Sequence, residues 1–207
     1  MADVKISALP AASSAASTDE YAANQVGTSR KVTLQQVHDY YVLGRGGAAT
    51  NINNSTTTTS IYSVGIPANV MGTNRTVRTR LYGEYWHSAG ATATLTVRIG
   101  LSTTTLYQDA SAALAVSANS RPILWDIDLA NLAANNSQAL LGKINIGGTG
   151  GATTGQGDIA AAGTDTEIRG TSAVDTSSAA TLDVFVRHSA ASTLITYRHW
   201  FGYTELI

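Results

Sequence analysis

Four histidines, His38, His87, His188 and His199, are the side chains able to exchange a proton near neutral pH. No two of them stand in the His-x₃-His spacing that places two ligands on one helical face. His188 and His199 fall near the ends of consecutive expected strands, where neighbours could share a metal or a proton. The ordinary role, a partly buried or surface histidine, outweighs that one. Asp126 and Asp128 lie on one face of an expected strand, which sets their carboxylates ~7 Å apart. Such a pair can hydrolyse glycosides when its two pKa values are split. No third polar group joins them in sequence, so the expectation is two solvated, outward-facing acids. Gly46-Gly47 and the run Gly147 to Gly151 are not followed by Lys-Ser/Thr on a helix and open no βαβ unit, so neither is a phosphate cradle. No Gly-x-Ser-x-Gly elbow occurs. Cysteine is absent, which removes thiol nucleophiles, disulfides and Cys-based zinc sites. The expectation is a protein that is not an enzyme, with no catalytic residues, no metal and no cofactor.

The aromatic residues carry more information. Tyr82, Tyr85 and Trp86 share one expected strand, and Tyr197, Trp200, Phe201 and Tyr203 share the last one. They occur at both parities. Core packing is their default role in a sandwich; on an outer face they would serve subunit contacts or sugar stacking. Arginine outnumbers lysine ten to three, which favours planar, bidentate contacts at protein interfaces. The Arg-rich stretch 75–80 and any outer-face aromatics are the expected interface.

These residues need strands to hold them. Val77, Thr79, Leu81, Gly83 and Tyr85 alternate with Arg78, Arg80, Tyr82, Glu84 and Trp86. After Ser88-Ala89-Gly90, Ala93, Leu95, Val97 and Ile99 alternate with Thr and Arg, which completes a hairpin. Further strands are expected at 61–66, 104–108, 112–117, 121–129, 138–146, 181–188 and 193–205. Eight or nine strands over ~150 residues, joined by Gly, Asn and Ser turns, predict an all-β chain: an antiparallel, jelly-roll-like β-sandwich. Residues 147–180, dominated by Gly, Ala, Thr and Ser, are expected to be a low-complexity surface excursion or a strand too thin in apolar residues to recognise.

The first third of the chain differs in texture. Residues 1–32 hold few apolar anchors and read as an extended segment. One short helix is expected over 33–43: Thr33 and Gln36 fit a capping box, Leu34, Val37 and Tyr41 share a face, and Gly44 suits the position after its end. Residues 46–59, with four consecutive threonines, read as a flexible linker or an extended strand lying on something else. The expected division is 1–45, 46–59 and a β domain over 60–207.

Composition narrows the partners. Charged residues make up 13% of the chain, about half the usual share. Ala, Gly, Ser and Thr supply 98 of 207 residues, and mean hydropathy is +0.01. The net charge of -1 argues against broad binding to nucleic acid or to anionic membrane. No apolar run is long enough to cross a bilayer, and no secretory signal is visible.

One segment carries a family likeness. Lys5-Ile6-Ser7-Ala8-Leu9-Pro10-Ala11-Ala12, then Thr18-Asp19, then Val26 to Leu34 resembles the opening module of tailed-bacteriophage appendage proteins. The likeness covers about a fifth of the chain, and departs from the family at Glu20-Tyr21-Ala22-Ala23, where an apolar strand is usual. Ile61 to Val64 and Leu81 to Trp86 look like the jelly-roll domains that end small phage virion proteins. The resemblance implies a virion structural protein, assembled in the host cytoplasm and attached to the particle through its N-terminal segment. The β head would serve as a head fibre, capsid decoration or tail fibre. It implies particle anchoring by Ile6, Leu9, Pro10, Val32 and Leu34, subunit contact through Leu34, Val37 and Tyr41, and a homotrimer. The partners are other virion proteins of capsid or tail and a host-surface glycan, with no nucleic acid and no membrane insertion. The rival reading is a carbohydrate-binding module or receptor-binding lectin-like domain.

Overall fold

Period-two alternation organises nearly the whole chain after residue 50. In the computed structural model the described residues are 20–25, 28–33, 41–46, 50–87, 94–110, 117–147 and 164–207. They fall into two compact units, Met1–Tyr41 and Val42–Ile207. In the first, β1 (Glu20–Gln25) pairs antiparallel with β2 (Thr28–Thr33).

The second unit is an antiparallel β-sandwich. Its strands are β3 (Val42–Gly46), β4 (Thr50–Asn53), β5 (Thr59–Ile66), β6 (Thr76–His87), β7 (Leu95–Leu101), β8 (Thr104–Ala110), β9 (Ser117–Asn131), β10 (Gln138–Ile146), β11 (Thr164–Ser172), β12 (Ala180–His188) and β13 (Ile195–Leu206). One sheet has the order β11-β10-β9-β6-β13-β3, with β4 also paired to β13; the other has the order β5-β12-β7-β8. Without the β10–β11 hairpin, the orders are β3-β13-β6-β9 and β5-β12-β7-β8. The chain passes between these two sheets as the strands of a jelly roll do.

The core lies between the sheets. Val77, Leu81 and Tyr85 of β6, Ile123, Trp125, Ile127 and Leu129 of β9, and Leu182, Val184 and Val186 of β12 are all buried. A chain of buried hydroxyls ties the sheets together. Tyr62 of β5 meets Thr204 of β13 at 2.9 Å, and Thr204 meets Thr79 of β6 at 2.8 Å. The Tyr62 hydroxyl also donates to the Gly44 carbonyl at 3.3 Å. Burial raises the Tyr62 pKa, and the hydrogen bond with Thr204 offsets part of that rise. A Cβ at Gly46 or Gly202 would crowd the Tyr62 ring, so glycine at both positions lets that ring lie flat between the sheets.

The helix expected over 33–43 lies mostly outside the described residues: Thr33 ends β2, Tyr41 is helical, and Val42 begins β3. Val42 and Gly44 to Gly46 pair with β13. Residues 34–40, including Leu34 and Val37, lie outside the described residues. The second compact unit spans Val42–Ile207 and so also holds residues 42–59. Within 46–59, Thr50–Asn53 pairs with β13 and buries Ile52, so this part follows the extended-strand alternative. Within 147–180, Thr164–Ser172 is a strand at the sheet edge. Ile168 alone anchors its apolar side in the core. The expected strand over 112–117 lies outside the described residues except at Ser117, where β9 begins.

Candidate functional site

The inner face of the sandwich buries His188, His199, Tyr85 and Tyr197. His199 on β13 is 1% exposed, its ring 6.2 Å from Tyr62 in an edge-on contact. Neither of its ring nitrogens has a hydrogen-bond partner, and burial lowers its pKa, so it is neutral at pH 7. His188 on β12 makes a similar contact with Tyr85 at 5.9 Å. The two histidines sit on different sheets against different tyrosines. Burial pushes the Tyr85 pKa up to about 12, with Arg121 partly offsetting it. Tyr197 is raised further by burial, against a smaller opposing effect from Trp125. Among the described residues, no three His, Asp or Glu side chains are grouped to hold a metal. His38 lies outside them, and His87 is placed only by its backbone, opposite Ile195 and Ser117.

The outer face of the larger sheet is where side chains converge. Strand register builds it in rows. Leu124 of β9 and Phe201 of β13 both stand opposite Tyr82 of β6. Tyr82 and Phe201 stack with centroids 4.5 Å apart and planes 20° apart. In the next row Asp126, Arg80 and Tyr203 align, continuing to Lys143 on one side and Arg45 on the other. One row further, Asp128, Arg78 and Glu205 align. On the opposite side of the aromatic row, Pro122, Glu84 and Arg198 align.

A register shift in β13 creates the aromatic row. His199 pairs with Gly83 and Phe201 with Tyr82, so Trp200 is the extra residue of a bulge. Trp200 and Phe201 both point outward, 45% and 50% exposed, while His199 and Gly202 on either side are buried. Leu124 and Leu141 add exposed apolar surface on β9 and β10.

Three arginines on this face pair with carboxylates of the same sheet. Arg78 grips Asp128 with both Nε and Nη2, at 2.9 and 3.0 Å. Arg80 reaches Asp126 and the Tyr203 hydroxyl, each at 3.4 Å. Arg198 meets Glu84 at 3.0 Å and lies 5.1 Å from the Trp200 ring centroid. These partners hold the guanidinium of Arg78 (chiefly Asp128) and of Arg80 (chiefly Tyr203, then Asp126) above the usual arginine pKa. Asp126 and Asp128 face outward as expected, but as ion-pair partners rather than solvated acids. Arg78-x-Arg80 against Asp126-x-Asp128 is a legible sequence signal once β6 and β9 are aligned.

Ile6, Leu9, Pro10, Leu34 and Val37 lie outside the described residues. Val32 is placed by its backbone opposite Tyr21 in the β1–β2 hairpin. Tyr41 is 54% exposed. The seven aromatics divide between the faces: Tyr85 and Tyr197 are core, while Tyr82, Trp86, Trp200, Phe201 and Tyr203 lie on the outer side.

No family model matches the chain, and no curated protein sequence matches it. Solved structures similar to it are those of infectious bursal disease virus. A Gt-strain chain has 12% identity and a TM-score of 0.30, over 97% of this chain and 42% of that one. A chain of the 2.6 Å T=1 particles derived from that virus has 14% identity and a TM-score of 0.27, over 96% and 48%. This chain spans less than half the length of either, and likeness at that level carries no argument about function.

Proposed function

We propose that this chain is a structural, non-enzymatic protein of a tailed-phage particle. Its N-terminal segment attaches to other virion proteins, its jelly roll forms a head fibre, capsid decoration or tail fibre, and its copies associate as a homotrimer. The outer face of the larger sheet carries this reading. Tyr82, Phe201, Trp200 and Leu124 expose apolar surface, and Arg78, Arg80 and Arg198 are already neutralised by carboxylates of the same sheet. Another protein subunit can cover the aromatic row and these ion pairs without stranding their charges. The low overall charge and the phage-like opening module support the same reading. A second reading, glycan binding, rests on the exposed Trp200 ring beside Arg198, an aromatic surface suited to sugar stacking.

Light scattering on the full chain tests assembly. The expected mass is three times 21.5 kDa. Phe201→Asp is expected to lower that mass while leaving the circular dichroism of the sandwich intact. A trimer that survives both Phe201→Asp and Leu34→Asp would exclude both proposed contacts. A monomer that binds oligosaccharide through Trp200 would favour the second reading.

A further inference from the structure

The smaller sheet carries a different kind of arginine. Arg78, Arg80, Arg169 and Arg198 each meet a carboxylate. Among the described residues, Arg98 of β7 and Arg187 of β12 meet none, yet both line one small cavity on the outer face of the β5-β12-β7-β8 sheet. Its volume is about 60 Å³, and Thr58, Thr96, Gln108 and Phe185 complete the walls. Register explains the cluster: Arg98 stands opposite Phe185 on one side and Gln108 on the other, and Arg187 stands opposite Thr96.

Arg98 is held in place without being satisfied. Its guanidinium carbon lies 4.0 Å from the Phe185 ring centroid, a cation–π stack that fixes the plane of the fork. Its Nε is buried and has no hydrogen-bond acceptor. A buried, charged N–H donor without an acceptor is costly and rare in a folded protein, and calls for a group that supplies one.

We propose that this cavity binds a carboxylate group. A planar, two-oxygen anion matches the fork of Arg98, and Arg187 adds a second positive charge. Thr58, Thr96 and Gln108 supply hydroxyl and amide groups for the atoms that flank the carboxylate. The volume admits about four water-sized groups, which suits a carboxylate and excludes a whole sugar ring. The ligand is therefore the acidic tip of something larger, a sugar acid or an acidic side chain, and the two differ in what flanks the tip.

Ligand-detected NMR titration of the full chain at constant ionic strength tests the site. The probes are sodium acetate, D-glucuronate and N-acetylglutamate, with D-glucose and sodium sulfate as controls. All three carboxylates are expected to bind and glucose is not. A tighter D-glucuronate or N-acetylglutamate complex identifies the source of the carboxylate. Arg98→Gln is expected to weaken binding about 10- to 100-fold, the worth of a charged hydrogen bond. Arg187→Ala, at an exposed position, is expected to weaken it severalfold without disturbing the fold. Three results would each overturn the proposal: no carboxylate binding, sulfate binding at least as tight, or affinity unchanged in both variants.

Discussion

Thr204→Val probes the link between the sheets. Thr204 is fully buried and bonds the hydroxyls of Tyr62 and Thr79 at 2.9 and 2.8 Å. Valine has nearly the same shape, so the change removes hydrogen bonds without opening a cavity. Each lost bond is worth about 0.5–1.5 kcal/mol net. The Tyr62 hydroxyl keeps the Gly44 carbonyl at 3.3 Å, whereas Thr79 loses its hydroxyl partner. A destabilisation of about 2–3 kcal/mol is expected, a Tm fall of about 5–10 °C for a domain of this size. Urea and thermal unfolding followed by circular dichroism measure it. The triple variant Thr204→Val, Thr79→Val, Tyr62→Phe removes every hydroxyl at once. It is expected to lie within about 1 kcal/mol of the parent, since a hydroxyl group replaced together with its partners leaves no donor stranded. A neutral Thr204→Val, or a triple variant as costly as the three single changes added together, would refute the linkage.

His199 has a folded-state pKa below its ordinary 6.5 because it is buried. Its contribution is therefore complete above that value and is lost as pH falls toward the lowered pKa. His199→Phe is expected to flatten the fall in urea-unfolding stability as pH drops below about 6.5; an unchanged slope would assign the proton uptake elsewhere. Gly170→Val places a Cβ against the Leu106 carbonyl oxygen, where the sheet edges β11 and β8 meet, and is expected to cost about 1–3 kcal/mol. Gly65→Ala, with open space at its Cβ, serves as the near-neutral control in the same denaturation series. Arg78 and Asp128 are about a third exposed, so a double-mutant cycle is expected to give a coupling below about 1 kcal/mol that shrinks with added salt.

Much of the β architecture is legible because two-residue alternation and burial coincide. In β6, β9 and β12 most alternate residues are apolar or small and face the core, so strand and face follow from spacing; neighbours do not, because β6 and β7, expected as a hairpin, lie in different sheets. Three places resist that reading. Val42 to Gly46 resembles the end of a helix locally, and only pairing with Gly202 to Glu205 makes it a strand. β11 has a single large apolar inward residue, Ile168, so an edge strand there resembles a polar loop. The bulge at Trp200 breaks parity within β13 and sends two consecutive aromatics outward, which no fixed period anticipates. The candidate surface is half legible: Arg78-x-Arg80 and Asp126-x-Asp128 stand in plain view, while the order of β9, β6 and β13 that aligns them is a long-range property. The cavity of Arg98, Phe185 and Arg187 gives no local signal, because β7 and β12 are far apart in sequence.

Electron microscopy of particles assembled with a tagged copy of this chain tests its role most directly. A virion structural protein is expected to place regular, symmetry-related density on the particle surface and to co-purify with the particles through density-gradient centrifugation. Particles of unchanged composition and shape, with the tagged chain left in the soluble fraction, would contradict that role.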